Sequence, residues 1–283
     1  MIRIDGLGFC YQGASKQALS DITLDIRDGD FIGVTGPSGA GKTTLAFALS
    51  GVIPHHLKGE FSGSVRIGDI DTAKASPEEI ARRVGIVCQD AEGQLLASTA
   101  EDEMLFGLEN FGTPREEIED RISYALDSAG ITDLRHRTIS SLSGGQKRKL
   151  AFASITALRP EVIVLDEPTA DLDPQSSRRV FETLRALSVS RGATVIIAEQ
   201  KVMLLCEFAD RLAVMDGGRI ALEGPVREVL RQGDRLEEAG VGMPGVSVLS
   251  RRLKEAGLYS GDIPVSLAEG ERMMRKAAAD AAF

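Results

Sequence analysis

The mostly apolar run Phe31-Ile32-Gly33-Val34-Thr35 leads into Gly36-Pro37-Ser38-Gly39-Ala40-Gly41-Lys42-Thr43, and residues from Thr43 to Ser50 then read as a helix. No other stretch of the 283 residues narrows the fold as much. The apolar run predicts a strand buried on both faces, and such strands belong to parallel sheets covered by helices on each side. The octapeptide fits G-x-x-x-x-G-K-[ST], in which glycines let successive backbone N–H groups wrap phosphates while the helix N-terminus adds a favourable field. In such a loop Lys42 reaches the β/γ-phosphates and Thr43 ligates Mg²⁺, with residues 36–44, Thr44 included, counted as the binding segment.

The surrounding pattern repeats the strand–helix alternation. Strands are predicted around Ile2 and Ile4, at 22–26, 63–67, 84–87, 162–166 and 194–198, and a hairpin around Gly217-Gly218. Ser76-Pro77-Glu78-Glu79 marks a helix start, and two helices fill 100–130, the second opened by Thr113-Pro114 and closed near Gly130. Further helices follow Gly144-Gly145 up to Pro160 and cover 175–190. This alternation predicts an α/β fold with parallel strands. Past Pro225 no strand is evident, and residues 226–283 read as a small helical C-terminal appendage, a candidate dimerisation element.

Composition excludes several classes. With 43% hydrophobic residues the chain can pack a core, yet no apolar run approaches the ~18 residues that cross a bilayer, so any membrane role is peripheral. The opening MIRIDGLGFCYQG lacks the basic-then-apolar layout of a signal peptide, which predicts a cytoplasmic location. A net charge of −9 argues against nucleic acid as a partner, because phosphate contacts need concentrated Lys and Arg. Cys10, Cys88 and Cys206 are scattered and odd in number, and are expected to be buried free thiols. His55-His56 is expected on a loop surface.

Two further segments carry chemistry. Val162-Ile163-Val164-Leu165-Asp166 is an apolar strand ending in a carboxylate, followed by Glu167. At the C-terminal edge of a sheet Asp166 holds the Mg²⁺ shell and Glu167 polarises an attacking water, which makes a nucleotide hydrolase the leading reading. Some twenty residues earlier, Leu142-Ser143-Gly144-Gly145-Gln146 opens a predicted helix and forms a second anion-binding helix N-terminus. One ATP does not need two such cradles from one protomer.

With these three motifs in order the sequence resembles the ATP-binding cassette (ABC) family over residues 1–225. The resemblance implies a phosphate-loop nucleotide-binding domain with a mixed sheet and a helical subdomain at about 90–158, in which the signature of one protomer caps the ATP held by the other. It further implies that Tyr11 stacks on adenine, that Gln89 touches Mg²⁺ and contacts the membrane partner, and that Asp171 and Asp173 couple the two nucleotide sites. Taken as bare residues, Tyr11 is also a half-buried strand aromatic and Asp173-Pro174 a helix cap. One position departs from the family: Glu199-Gln200 stands where a switch histidine is expected. An amide still donates a hydrogen bond to a γ-phosphate oxygen but is differently aimed and cannot titrate, so substitution by Gln200 and a degenerate site both stay open.

The segments Val87-Cys88-Gln89-Asp90, Gln94-Leu95-Leu96 and Glu101 to Gly107, with Val246 to Leu253 in the appendage, are similar to energy-coupling-factor transporter ATPases. That resemblance implies an ATP-hydrolysing subunit of a vitamin or transition-metal importer on the cytoplasmic face of the membrane. Its partners are then a second ATPase chain, identical or paralogous, a transmembrane coupling subunit and a substrate-binding membrane subunit. The alternatives are a degenerate regulatory subunit of a heterodimeric transporter and a soluble ABC ATPase outside transport.

Overall fold

The computed structural model of the chain describes residues 1–280. It begins with β1 (Ile2–Tyr11), β2 (Leu19–Ile26) and β3 (Phe31–Thr35), then α1 (Lys42–Leu49) and the one-turn α2 (Val52–His55). Next come β4 (Gly59–Ile67), β5 (Ile70–Asp71), α3 (Pro77–Ala81) and β6 (Val84–Val87). Three helices follow, α4 (Ala100–Asn110), α5 (Arg115–Ala129) and α6 (Gly144–Leu158), before β7 (Val162–Asp166), α7 (Pro174–Arg191) and β8 (Thr194–Ala198). The rest is α8 (Val202–Phe208), β9 (Arg211–Asp216), β10 (Arg219–Pro225), α9 (Val226–Leu230), α10 (Gly233–Glu238), α11 (Gly245–Glu255) and α12 (Leu267–Asp280).

The strands form two sheets. One has the order β10-β9-β3-β8-β7-β6 and is parallel from β9 to β6, with β10 returning antiparallel as a hairpin. Every residue of β3, β7 and β8 is buried, as continuous apolar runs require in a sheet covered on both faces. The other, β2-β1-β4-β5, is antiparallel. In β2 buried Ile22, Leu24 and Ile26 alternate with exposed Asp21, Thr23 and Asp25. Half-buried strands like these suit an antiparallel sheet with one wet face, so the strand predicted at 63–67 does not join the parallel set. The two-residue β5 and α8 lie outside the sequence prediction.

One hydrophobic cluster fills the space between the two sheets around Leu45 and Leu49 of α1. A second joins the opposite face of the core sheet to α4–α7. Val226, Val229, Leu230, Leu236, Val241 and Ile263 belong to that same cluster, so the helices after Pro225 share the main core. Phe31, Phe181 and Phe208 line up within it, with ring centroids 6.2 and 5.5 Å apart. Among the cysteines only Cys206 is buried; Cys10, next to last in β1, and Cys88, just past the end of β6, are partly exposed, against expectation, because both stand where a strand runs out of its packed layer. Burial still pushes the Cys88 thiol up to about 11 and that of Cys206 to about 12, which keeps both protonated. His55 and His56 are exposed, with His55 Nε2 at 2.8 Å from the Thr72 carbonyl.

Candidate functional site

Between β3 and α1 the glycines are dictated by close approach. Gly36 has φ 150° and a β-carbon there would lie 2.1 Å from the Met215 carbonyl oxygen; Gly41 has φ 102° and one would lie 2.6 Å from Ala18 O. Lys42 is 6% exposed, and its Nζ donates to Gly36 O at 2.7 Å and Pro37 O at 3.0 Å. Burial lowers its pKa, while the carboxylates of Glu167, Asp166 and Glu199 pull the other way. The ammonium is thus folded back on its own loop, held by neutral acceptors that a phosphate outcompetes.

Asp166 ends β7 at 1% exposure, and neither carboxylate oxygen has a hydrogen-bond partner in good geometry among the described residues. Burial raises its pKa; the nearby Thr43 hydroxyl opposes the shift and the charge of Glu167 adds to it. A buried carboxylate without a donor beside a threonine hydroxyl is a hard-oxygen donor set of the kind that suits Mg²⁺. Glu167 has φ 49°, with its N–H on Ala198 O at 2.8 Å and its carbonyl accepting from Arg148 Nη1 at 2.7 Å. Its carboxylate accepts from Gln200 Nε2 at 2.6 Å and from Gln89 Nε2 at 3.4 Å.

A pocket of about 210 Å³ is lined by Ala18, Ser38, Gly39, Gly41, Lys42, Thr43, Thr44, Gln89, Glu167 and Gln200; Asp166 is not in its lining. They come from segments far apart in sequence because β3, β8, β7 and β6 are parallel neighbours whose C-terminal ends open on one edge. Gln200 N–H donates to Glu199 Oε1 at 2.9 Å, and Glu199, 3% exposed, also accepts from the Thr169 hydroxyl and from Lys201 N at 3.3 Å.

The other predicted residues lie elsewhere. Tyr11 lines a separate cavity of about 630 Å³ with Gln12, Lys58 and Glu60. Its hydroxyl is 3.0 Å from Thr44 Oγ1 and its ring sits edge-on to Phe9, 4.9 Å between centroids. Leu142, Ser143, Gly144, Gly145 and Gln146 stand at the start of α6 and do not line the pocket of their own chain. Ser143 and Gln146 form a reciprocal capping box, Gln146 N on Ser143 Oγ at 3.3 Å and Ser143 N on Gln146 Oε1 at 2.9 Å. Nothing lies within 4 Å of where a Gly144 side chain would start, so the tip of α6 is open. Asp173 caps α7 by accepting from Ser176 N at 2.9 Å, and Asp171, at φ 60°, accepts from Arg148 Nη2 at 3.2 Å.

Several supporting residues have roles that sequence reasoning does not assign. Arg148 ties α6 to both Glu167 and Asp171; its one signal is its place two residues after Gln146. Gln94 Oε1 accepts from Cys88 N at 2.8 Å and its Nε2 donates to Ile86 O at 3.2 Å, so its amide takes the place of a neighbouring strand on the outer edge of β6. Glu103, 8% exposed, accepts from Leu96 N and Ala97 N at 2.8 Å each. Together they pin the segment that follows Gln89 to the sheet and to α4.

Comparison with known proteins matches residues 19–170 to the ABC transporter family model. A Pyrococcus abyssi chain described as an ABC transporter ATP-binding protein is 38% identical over 91% of this chain and 92% of its own length. The energy-coupling factor transporter ATP-binding protein EcfA1 of Caldanaerobacter subterraneus is 37% identical over 97% of both chains. Among solved structures, cbiO1 from Clostridium perfringens, part of the ABC transporter complex cbiONQ, superposes with a TM-score of 0.71 at 28% identity over 90% of this chain and 98% of that one.

Proposed function

We infer what this protein does from one premise: the chain belongs to the ABC transporter family, as an ATP-binding ATPase. Within it, we propose the ATP-hydrolysing subunit of an energy-coupling-factor importer that takes up vitamins or transition-metal ions. The similarity to EcfA1 and to cbiO1 along nearly the whole chain supports the group. The convergence of Lys42, Gln89, Glu167 and Gln200 on one pocket, with the buried Asp166 carboxylate directly before Glu167 at the end of β7, is the observation that carries the hydrolytic reading.

In this reading Lys42 exchanges the carbonyls of Gly36 and Pro37 for β/γ-phosphate oxygens, and backbone N–H groups of residues 36–44 wrap the rest. Thr43, Gln89 and Asp166 are the residues that would hold Mg²⁺, whose chemistry is to neutralise charge on the phosphate oxygens. Glu167 orients the attacking water and takes its proton on the carboxylate, held in place by the amides of Gln200 and Gln89. The 2.6 Å contact from Gln200 favours glutamine as a working switch over a degenerate site. Tyr11 meets the adenine end. Leu142 to Gln146 serve the ATP of a second, identical or paralogous, ATPase chain, consistent with an open α6 tip that its own pocket does not use. Asp171 and Asp173 connect the two sites.

No helix among the described residues is long and apolar enough to cross a membrane. Attachment to the cytoplasmic face therefore falls to a transmembrane coupling subunit, beside a substrate-binding membrane subunit; residues 226–283 are proposed to add to dimerisation. Affinity purification from membranes, with every co-purifying chain identified and Mg-dependent phosphate release measured, tests this. Recovery of the chain with ATPase activity but without any polytopic membrane partner would overturn the importer and leave the ATPase.

A further inference from the structure

Strands β7 and β8 are paired as far as Asp166 and Ala198, and past that pair both chains leave the sheet as loops. The main chain supplies one further link, from Glu167 N to Ala198 O at 2.8 Å. Beyond it, three consecutive residues of the second loop reach across with their side chains. Glu199 accepts from the Thr169 hydroxyl, Gln200 Nε2 donates to Glu167 Oε1 at 2.6 Å, and Lys201 Nζ donates to Thr169 O at 2.7 Å. The residues on either side of Gln200 therefore hold one buried threonine by its hydroxyl and by its carbonyl.

Glu199 is the centre of this lacing. Burying a carboxylate is costly unless donors satisfy it, and here three neutral donors do. The Thr169 hydroxyl binds Oε2, while the N–H groups of Gln200 and Lys201 bind Oε1 at 2.9 and 3.3 Å. Thr169 stands midway between Glu167 at φ 49° and Asp171 at φ 60°, both in the left-handed region that a β-carbon disfavours. Such backbone persists only where its surroundings over-determine it. Arg148 holds the segment from the side of α6, at Glu167 O and Asp171 Oδ2, and the Thr169 contacts hold it from the side of β8. On the second loop, the two N–H contacts wrap the chain round the Glu199 carboxylate and set the direction in which the Gln200 side chain leaves it.

We propose that Glu199 is a positioning residue of the hydrolytic site: by gripping Thr169 and the main chain of Gln200 and Lys201 at once, it fixes the Gln200 amide against the Glu167 carboxylate. Glu199 does not line the pocket, so it acts through those two residues rather than on the nucleotide. The inference rests on the roles proposed above for Glu167 and Gln200. Displacing a reacting group by about 1 Å costs on the order of a hundredfold in rate, which is the scale on which a lost grip would show.

Phosphate release and Mg-ATP affinity of the assembled complex are measured for Glu199→Ala, Glu199→Gln and Thr169→Val, and for Glu199→Ala in chains carrying Gln200→Ala. Glu199→Ala should lower kcat about tenfold or more while Mg-ATP affinity holds or tightens, since a carboxylate near Lys42 is removed. Glu199→Gln should restore most of that loss, because its carbonyl oxygen still accepts both N–H groups and the Thr169 hydroxyl can turn to accept from the amide. Thr169→Val keeps the shape without the hydroxyl and should lower kcat about threefold or more, which decides the matter if Glu199→Ala folds poorly. With Gln200 already replaced by alanine, Glu199→Ala should add less than about threefold, because the side chain it aims is gone. Unchanged kcat in Glu199→Ala or, where that variant does not fold, in Thr169→Val overturns the positioning role. So do weakened Mg-ATP binding in Glu199→Ala, a glutamine variant as slow as the alanine one, and costs that multiply in the Gln200→Ala chain. If Glu167→Gln and Gln200→Ala themselves leave turnover unaltered, it is the roles of those two residues that fail, and the inference falls with them.

Discussion

Replacing Glu167 by glutamine keeps the heavy-atom shape of the side chain and removes its charge. In the structure its carboxylate accepts from two amide donors, Gln200 Nε2 at 2.6 Å and Gln89 Nε2 at 3.4 Å. A glutamine has one acceptor oxygen, so its own NH₂ faces one of those donors and one contact is lost. Hydrogen bonds to a charged group are worth about 1.5–3 kcal/mol against about 1 for neutral pairs, and half-exposure of this site puts the loss at the low end. Losing the proton acceptor adds a factor of about 10²–10⁴ in rate. Turnover should therefore fall about a hundredfold or more. ATP affinity should hold or tighten, because one of the three carboxylates near Lys42 is neutralised and ATP is itself an anion. Phosphate release by the assembled complex reads the rate, nucleotide titration reads the affinity, and light scattering should show ATP-dependent dimers accumulating. Turnover within tenfold of the unaltered protein would refute the assignment of Glu167 as base, and loss of ATP binding would refute the charge argument.

Lys42→Ala should weaken Mg-ATP binding about tenfold or more, since the ammonium is the one buried cation in the loop; unchanged affinity in a nucleotide titration would place the site elsewhere. Gln200→Ala should slow phosphate release about tenfold or more while Gln200→His stays within a few-fold, and a several-fold gain with histidine would show that glutamine is a handicap. Glu103→Ala strands the N–H groups of Leu96 and Ala97 and should cost about 2–4 kcal/mol in urea unfolding, whereas a change under about 0.5 kcal/mol would mean water replaces the carboxylate. The Arg135 guanidinium holds Glu119 at about 2 against an ordinary 4.5, so its carboxylate stabilises the fold above pH 4.5 and loses that effect as pH falls towards 2. The difference in melting temperature between the unaltered protein and Glu119→Gln should shrink over that window, and a constant difference would exclude the linkage.

Long-range pairing explains where sequence reasoning stopped. The strands at 84–87, 162–166 and 194–198 carry enough apolar residues in a row to be read directly, and their observed bounds coincide with the prediction. So do the caps at Ser76, Ser143 and Asp173, which act on backbone N–H groups three residues away. Glu103, Gln94 and Arg148 act on backbone that the fold delivers to them; the segments holding Gln94 and Glu103 carry a family resemblance, but no local pattern gives any of the three its role.

By itself the sequence determined the phosphate loop, the strand–helix alternation, the carboxylate pair Asp166-Glu167 and the helix start at Ser143. Each of these is a local arrangement, fixed by glycine conformation, hydrophobic period and capping chemistry over a few residues. Tertiary structure alone decided that β1, β2, β4 and β5 form a separate antiparallel sheet, that the helices after Pro225 share the main core, and that Gln89 and Gln200 reach one carboxylate. It also left the Asp166 oxygens buried without a hydrogen-bond donor among the described residues. Those outcomes depend on which strand ends become neighbours when apolar faces are buried, and contacts between residues as distant as Gln89 and Glu167 have no signature in the order of the chain.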